Sequence, residues 1–223
     1  MKIILIVIIT LFVISCIPKD NHPNDCENKK NIPEYIQDYK VYLEELANNQ
    51  NISSYYFPKN TFHNNDSIDA FTQNWYGEHL DILDNEIIYL LNNINIIRFT
   101  CLRTFHKPFS IKIVWNNNAK LYFNMSNGAG GYNAGELIMH FEKILNNSQI
   151  NIVLDILNKY DFFNQMTNEE LDFIGLDGSK WIIEANINNK YKIIHRWTPE
   201  SGIAYDIGKY LIELSGERIV NLY

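Results

Sequence analysis

The sequence lacks the residue spacings that build metal and redox sites. Only three cysteines occur among 223 residues, and none forms a Cys-x-x-Cys pair. The six histidines show no paired spacing, so the usual ligand patterns of zinc are missing. A Gly-x-Ser-x-Gly elbow, which would expose a serine nucleophile, is also absent. We therefore expect no metal, no cofactor and no complete catalytic motif.

Basic charge is scarce as well. Nineteen Lys and Arg residues stand against 26 Asp and Glu, which gives a formal net charge of −7, and they form no basic cluster. An acidic chain without such a cluster is a poor candidate for nucleic-acid binding. Beyond the first sixteen residues, no apolar run approaches the eighteen or so residues of a membrane-spanning helix.

The start of the chain predicts export and a lipid anchor. Met-Lys precedes twelve apolar or near-apolar residues (3–14), which Ser15 and Cys16 follow. A basic start, a short apolar run and a small residue before the cleavage point are typical of a secretory signal. The last four residues, Val-Ile-Ser-Cys, resemble the bacterial lipobox, in which the cysteine is diacylated. We predict a signal peptide over the first fifteen residues and lipidation of Cys16 in the cell envelope; the alternative is an ordinary signal peptide that contains a cysteine.

The rest of the chain divides into a tether and one domain. Residues 16–32 carry prolines and polar residues without an apolar period, which predicts a flexible tether. Residues 33–223 are predicted to form a single domain, beginning with a helix at Pro33. A second helix is expected from Ser67 to Leu83, with its apolar residues turned inward. These inward residues are Ile68, Phe71, Trp75 and Ile82.

Alternation of apolar and polar residues then predicts strands. Residues 97–105, 109–115, 121–125 and 137–141 each alternate with a period of two and are joined by short connections. These features predict an antiparallel meander of four strands.

The C-terminal part of the chain predicts two more helices and a hairpin. A helix capped by Ser148 comes first, then a hairpin turning at Asn188-Asn189, then a helix from Ser201 to Gly216. The fold class is α+β, with an antiparallel meander and a C-terminal hairpin packed against amphipathic helices.

A glycine-rich loop stands between two of these strands. Residues 128–135 have the glycine density of phosphate-binding loops, but the pattern after Gly135 is a strand, and no Lys, Ser or Thr follows that glycine. A phosphate cradle needs a helix N-terminus behind it. A wide turn or bulge is favoured, with nucleotide binding as the alternative.

The hairpin places polar residues side by side. With a two-residue turn, Glu184 lies opposite Ile193 and Ile182 opposite His195, so Glu184 and His195 are diagonal neighbours on one face. They are candidates for an acid–base pair or for a structural ion pair. The opposite face places Trp181 against Arg196, a possible cation–π pair.

Arg103 is predicted on the core face of its strand. A buried guanidinium needs a partner, and Asp177 and Glu184 are the candidate carboxylates; the alternative is that Arg103 reaches outward from the strand end. Cys101 shares this face. It is either a buried free thiol or, because the chain is predicted to be exported, the partner of Cys26 in a disulfide.

Four segments resemble a family of uncharacterised bacterial exported proteins over about residues 70–216. They are Arg98 to His106, Gly128 to Tyr132, Leu176 to Trp181 with Glu184, and Arg196 to Pro199. The resemblance implies that a set of polar and aromatic residues acts as a unit, although the family has no assigned activity. The set comprises Arg103, His106, Asp177, Trp181, Glu184, Arg196 and Trp197. Cys101 departs from the family pattern, where an aromatic residue is expected.

These features lead to one main hypothesis and one alternative. The main hypothesis is a lipid-anchored envelope protein whose domain binds an envelope protein partner or a small ligand without turning it over, as inhibitors and immunity proteins do. The alternative is an envelope hydrolase that uses Glu184 and His195 as an acid–base pair.

Overall fold

The structure is a computed structural model, and it describes residues 56–64, 66–168 and 177–222. The chain divides after Gln50 into two units, and all described residues belong to the second, 51–223. The predicted signal peptide, Cys16, the tether, Cys26 and the helix at Pro33 lie outside the described residues. Those assignments, and the domain boundaries that depend on them, stay predictions.

The described residues form three helices and one six-stranded antiparallel sheet, which confirms the α+β class. The helices are α1 (Asp66–Leu83), α2 (Asn147–Lys159) and α3 (Gly202–Ser215). The strands are β1 (Asn95–Arg103), β2 (Phe109–Trp115), β3 (Ala119–Ser126), β4 (Leu137–Leu145), β5 (Ser179–Ile187) and β6 (Lys190–Trp197). Their order across the sheet is β4-β3-β2-β1-β5-β6.

The predicted meander and hairpin are both confirmed, and they join into one sheet. β1 to β4 pair in sequence order through short connections. β5 and β6 turn at Asn188 and Asn189, whose φ angles of 52° and 60° are the left-handed values that a tight hairpin turn requires. β5 then pairs with the free side of β1, a placement that local sequence patterns do not encode.

One face of the sheet, called here the first face, carries the larger apolar core. The odd-numbered residues of β1, β2 and β3 point to this face, and α2 and α3 cover it. Gly208 of α3 allows the helix to approach β5 closely, because a Cβ there would lie 2.5 Å from the Trp181 ring. The indole of Trp181 packs between this helix and the ring of Phe99, with ring centroids 5.0 Å apart.

The opposite face, called here the second face, is also covered. Helix α1 and the segment before it form a smaller apolar cluster on this face. Its buried members are Phe57, Phe62, Tyr76, Leu80, Leu102, Ile182 and Ile193. Segment 84–91 follows α1 and contacts the same face through backbone carbonyls. Over the central strands β1, β2 and β5 both faces are therefore interior surfaces, which makes polar residues there costly unless they are paired.

Helix α1 forms as predicted, but the prediction of its inward residues is wrong for two of them. Ile68 and Phe71 are 49% and 71% exposed. The buried side carries Asp69 and Gln73 instead, because the Asp69 carboxylate accepts hydrogen bonds from three backbone N–H groups of segment 60–63 and from the Gln73 amide. The helix thus turns a polar stripe inward in order to fix the preceding loop.

The residues that cap α2 and α3 are those that the sequence predicts, except at the start of α2. Ser148 does not cap α2; Asn146 does, in a reciprocal capping box with Gln149. Ser201 is the N-cap residue of α3, without a side-chain capping bond, and Gly216 ends that helix with a φ of 82°.

Strand β1 ends earlier than its alternation predicts, and it carries the buried Cys101. β1 ends at Arg103, so Phe105 lies beyond it and is 55% exposed, rather than on the core face. Cys101 is a fully buried free thiol, and burial raises its pKa to about 12. In the described part of the chain, no helix combines the length and apolar character that crossing a membrane requires.

Candidate functional site

The predicted site residues do not form one cluster. Arg103, His106, Asp177 and Trp197 lie at one end of the sheet, where strands β1, β3 and β6 finish and strands β2, β4 and β5 start. Trp181 belongs to the first-face core, Glu184 and His195 to the second face, and Arg196 to edge strand β6. The unit implied by the family resemblance is therefore divided between packing positions and one end of the sheet.

Glu184 is the carboxylate partner of Arg98. Their side chains are 1% and 0% exposed, and both Nε and Nη2 of Arg98 donate to Glu184 Oε2, at 2.8 and 2.5 Å. Tyr191 donates to the other carboxylate oxygen at 3.0 Å. Burial raises the pKa of Glu184, while Arg98 and Tyr191 favour its ionised form.

The ion pair extends into the segment that follows α1. Arg98 Nη1 donates to the carbonyls of Asp84 and Glu86, each at 2.9 Å. Lys112 of β2 contacts the carboxylates of the same two residues at 2.7 and 2.6 Å. Together with Glu184 these residues form what is called here the buried ionic network (Arg98, Lys112, Asp84, Glu86 and Glu184), which holds segment 84–91 against the second face. Two cations serve three carboxylates, and each charged group contacts at least one of opposite sign, so the geometry serves the fold.

His195 is separated from Glu184 by its own partner. The hairpin register is the predicted one, with Ile182 opposite His195. However, His195 Nδ1 lies 2.8 Å from the Tyr76 hydroxyl of α1, and burial lowers the pKa of the imidazole to about 3. The imidazole is therefore neutral at neutral pH and packs against aromatic rings. The structure does not join Glu184 and His195 into an acid–base pair.

The side chains of Trp181 and Arg196 bond to different groups. They are opposite one another in the register, as predicted. The Trp181 indole N–H donates to Ser179 Oγ at 2.8 Å, and its ring stacks with Tyr205. The Arg196 guanidinium donates to the carbonyls of Met166 and Thr167, which attaches the chain after α2 to the edge of β6.

Arg103 is buried, as predicted, but Glu184 is not its partner. Glu184 lies opposite Arg98, on the second face, whereas the Arg103 side chain lies on the first face at the end of β1. Its guanidinium donates to the carbonyl of Lys107 at 2.6 Å and to that of Val220 at 2.7 Å, and it lies over the Phe109 ring. Asp177, the other candidate, is exposed. Arg103 thus joins the β1–β2 turn to the C-terminal segment.

Backbone hydrogen bonds tie the loops at this end of the sheet together. We call the turn 104–108 and the loop 127–135 the loop end. Gly130 N–H donates to the His106 carbonyl at 3.2 Å, and Gly131 N–H donates to the Thr104 carbonyl at 3.1 Å. A Cβ at Gly130 would lie 2.5 Å from the backbone N of Arg103, so only glycine permits this approach.

Two aromatic side chains stand exposed on the loop end. Phe105 and Tyr132 are 55% and 68% exposed, and their rings stack with centroids 5.7 Å apart. The turn supplies one ring and the glycine-rich loop the other. Helix α1 supports the loop from beneath, because the Trp75 indole donates to the Gly130 carbonyl at 3.2 Å. The pair is thus held on connected loops, yet remains accessible.

The glycine-rich loop acts as a turn, which confirms the favoured interpretation. It leads from β3 into β4, with a register shift between Met125 and Ser126 and a bridge between Ala129 and Asn133. No helix begins behind it, so its amides lack the dipole of a phosphate cradle. Among the described residues, no group of three His, Cys, Asp or Glu side chains could hold a metal ion.

Comparison with protein-family models gives no match for this chain, and comparison with curated proteins gives none either. The family resemblance of the four sequence segments therefore stays an expectation. Geometry alone supports the choice of site, and it favours the loop end, where exposed aromatic side chains lie on loops joined by backbone hydrogen bonds.

The sequence analysis did not single out two residues, Arg98 and Tyr132. It named each of them only as one end of a longer segment. The alternation placed Arg98 on the face opposite the apolar core. In a sheet with one face in solvent, a residue on that face would be exposed. Only the pairing of β5 with β1 brings Glu184 opposite Arg98. Tyr132 follows Gly130-Gly131 directly, and an aromatic residue at the tip of a glycine-rich turn is a signal that could have been used.

Proposed function

We propose that the chain is an exported, lipid-anchored envelope protein whose α+β domain binds a protein partner through the loop end, in the manner of an inhibitor or immunity protein. The observation that carries the proposal is the exposed stacked pair of Phe105 and Tyr132. Exposed aromatic side chains are enriched among the residues that dominate binding energy at protein interfaces.

The rigidity of the loop end favours binding. The two loops are joined by backbone hydrogen bonds and supported by Trp75, so little conformational entropy is lost when a partner docks. The alternative of catalysis has weaker support, because Glu184 and His195 each satisfy a different buried partner.

The charge of the chain indicates the chemistry of the partner. With a formal net charge of −7, the protein should associate fastest with a partner that presents a basic surface. We therefore expect a basic protein of the envelope or of the extracellular space, whose binding weakens as salt is raised.

The test of the binding surface is a matched pair of variants in the full chain. Phe105→Ala/Tyr132→Ala should reduce capture of a stoichiometric partner from native envelopes by at least tenfold, because both anchor rings are removed. Ile152→Ala, which removes a side chain that is 43% exposed on α2, should leave capture unchanged. Equal capture by both variants, with both folded by circular dichroism, would exclude the loop end as the binding surface.

The anchor is tested separately through Cys16. Cys16→Ser should give an unprocessed precursor without lipid, because only a thiol accepts the diacylglyceryl group. The membrane fraction should then lose its mature form, which mass spectrometry of the N-terminus would detect. A normally processed and membrane-retained Cys16→Ser protein would contradict the lipoprotein assignment but not the binding surface.

A further inference from the structure

Helix α1 has an apolar outer side in addition to the side that it packs on the sheet. Ile68 and Phe71 are 49% and 71% exposed, and Trp75 is partly exposed. These three residues are spaced by three and four positions, so they lie along one side of the helix. The sheet is contacted by a different set, which includes the buried Tyr76 and Leu80. The domain therefore covers one apolar side of α1 and leaves the other exposed.

The same outer side becomes acidic in the second half of the helix. Glu78, two turns after Phe71, and Asp81, one turn further, are both exposed. The 18 residues of α1 include neither Lys nor Arg. A cavity of about 330 Å³ opens beside these two carboxylates, and Asn74 and Tyr56 line it as well. The outer stripe, as we call this side, comprises Ile68, Phe71, Trp75, Glu78 and Asp81.

A second copy of α1 fits the outer stripe poorly. In a parallel pair, the carboxylates of Glu78 and Asp81 would face their own copies, and like charges in contact oppose association. In a full antiparallel pair, the apolar half of each helix would lie against the acidic half of the other. An antiparallel pair shifted to the apolar halves alone would overlap over only about two turns, or roughly 11 Å. The stripe therefore favours an occupant of opposite charge.

We propose that the outer stripe binds a basic amphipathic helix of the protein partner, with apolar side chains against its first half and a lysine or arginine beside its two carboxylates. A row of side chains spaced by three and four residues suits docking of a helix, and its length of about 20 Å corresponds to four turns. The inference rests on the proposed function, because Trp75 of the stripe donates to the Gly130 carbonyl and so places the stripe next to the loop end. The formal net charge of −7 agrees with a basic occupant.

Synthetic helices test this binding on the full chain in non-ionic detergent. The contact face of a first fluorescent peptide of about 18 residues is leucine in the N-terminal half and lysine in the C-terminal half. A second peptide has the reverse order, because the stripe does not fix the direction, and two further peptides carry glutamate in place of lysine. At least one lysine peptide should bind with a dissociation constant at least tenfold below that of its glutamate counterpart, measured by anisotropy with empty micelles as the blank. No binding, or equal binding of both kinds of peptide, would overturn the proposal.

The apolar half of the stripe is tested by Phe71→Ser. This variant should raise the dissociation constant of the lysine peptide at least tenfold, because it removes the most exposed ring of the stripe. The matched control is Ile144→Ser on β4, which removes an apolar side chain that is 80% exposed and should leave binding unchanged. Equal affinities of the two variants, with both folded by circular dichroism, would contradict the assignment of the stripe.

The acidic half of the stripe is tested by charge reversal. Glu78→Lys should weaken binding of the lysine peptide and strengthen that of the glutamate peptide, each by about fivefold or more, because one side of the contact has changed sign. Asp155→Lys changes the net charge equally at an exposed position of α2, and it should alter neither affinity by more than about twofold. Equal effects of the two reversals would reduce the binding to net charge and reject the proposal.

Self-association tests the other occupant. In analytical ultracentrifugation of the full chain, we expect Phe71→Ser to leave the association state unchanged. Dimers of the unmodified chain that Phe71→Ser abolishes would assign the outer stripe to a second copy and overturn the proposal. Peptide binding does not use the native partner, so it can fail while capture still depends on the loop end. Conversely, capture can prove independent of the loop end while the peptide still binds the stripe.

Discussion

Arg98→Met should lower the free energy of unfolding by about 3–5 kcal/mol, measured by chemical denaturation. The methionine fills the space of the stem but leaves the Glu184 carboxylate, which is 1% exposed, without its cation. The carbonyls of Asp84 and Glu86 lose their donor at the same time. Unpaired charge and unsatisfied carbonyls in an interior are among the largest destabilising changes that one substitution can cause.

Two comparisons separate this effect from loss of surface charge. Lys120→Met removes a cation whose side chain is 48% exposed and paired with Glu142, and it should cost at most about 1 kcal/mol. Adding Glu184→Gln to Arg98→Met removes the stranded charge, so the double variant should be more stable than the sum of the single losses indicates. Additive losses would show that Arg98 and Glu184 are not energetically coupled.

The pH dependence of Arg98→Met has a defined sign. Without the guanidinium, burial is the main influence on Glu184 and raises its pKa above the value in the unfolded chain. The folded state then binds more protons, so the stability that the variant loses relative to the unmodified chain should be smallest below the ordinary glutamate pKa and should grow as pH rises through the raised value. This account would be contradicted if the difference in free energy of unfolding between Arg98→Met and the unmodified chain were the same at acid and neutral pH.

The sequence-based prediction succeeded where local patterns determine the structure. The alternation from Ile97 to Cys101 and the pair Asn188-Asn189 each have one physical solution, a strand and a tight turn, and both were found. Which edge of the meander pairs with the hairpin depends on contacts between residues far apart in the sequence. This pairing determines the environment of Arg98. The buried ionic network therefore could not be predicted from β1 or from β5 alone.

The errors in α1 have the same origin. Apolar spacing favoured Ile68 and Phe71 as inward residues, because burying apolar surface is usually the larger gain. The structure turns Asp69 inward instead, since its carboxylate satisfies three backbone N–H groups of the preceding loop. A side chain that satisfies several buried donors can outweigh two apolar ones, and sequence periodicity does not contain that information.

Gly130→Ala should separate the two loops of the loop end and destabilise the protein by about 1–3 kcal/mol. The new Cβ would lie 2.5 Å from Arg103 N and 2.6 Å from the Leu102 carbonyl carbon, both backbone atoms of a central strand. Since this backbone cannot rotate away, the loop must move outward. It would then weaken the bond from Gly130 N–H to the His106 carbonyl and displace Tyr132 from Phe105.

The matched control is another glycine-to-alanine change, Gly77→Ala in α1. Its Cβ meets only the Tyr56 ring, at 3.3 Å, and alanine favours a helix over glycine by up to about 1 kcal/mol, so stability should be nearly unchanged or slightly higher. Under the proposed function, Gly130→Ala should also lose partner capture at temperatures where it remains folded, whereas Gly77→Ala retains it. Capture by a folded Gly130→Ala protein at the level of the unmodified chain would show that the position of Tyr132 beside Phe105 does not determine binding.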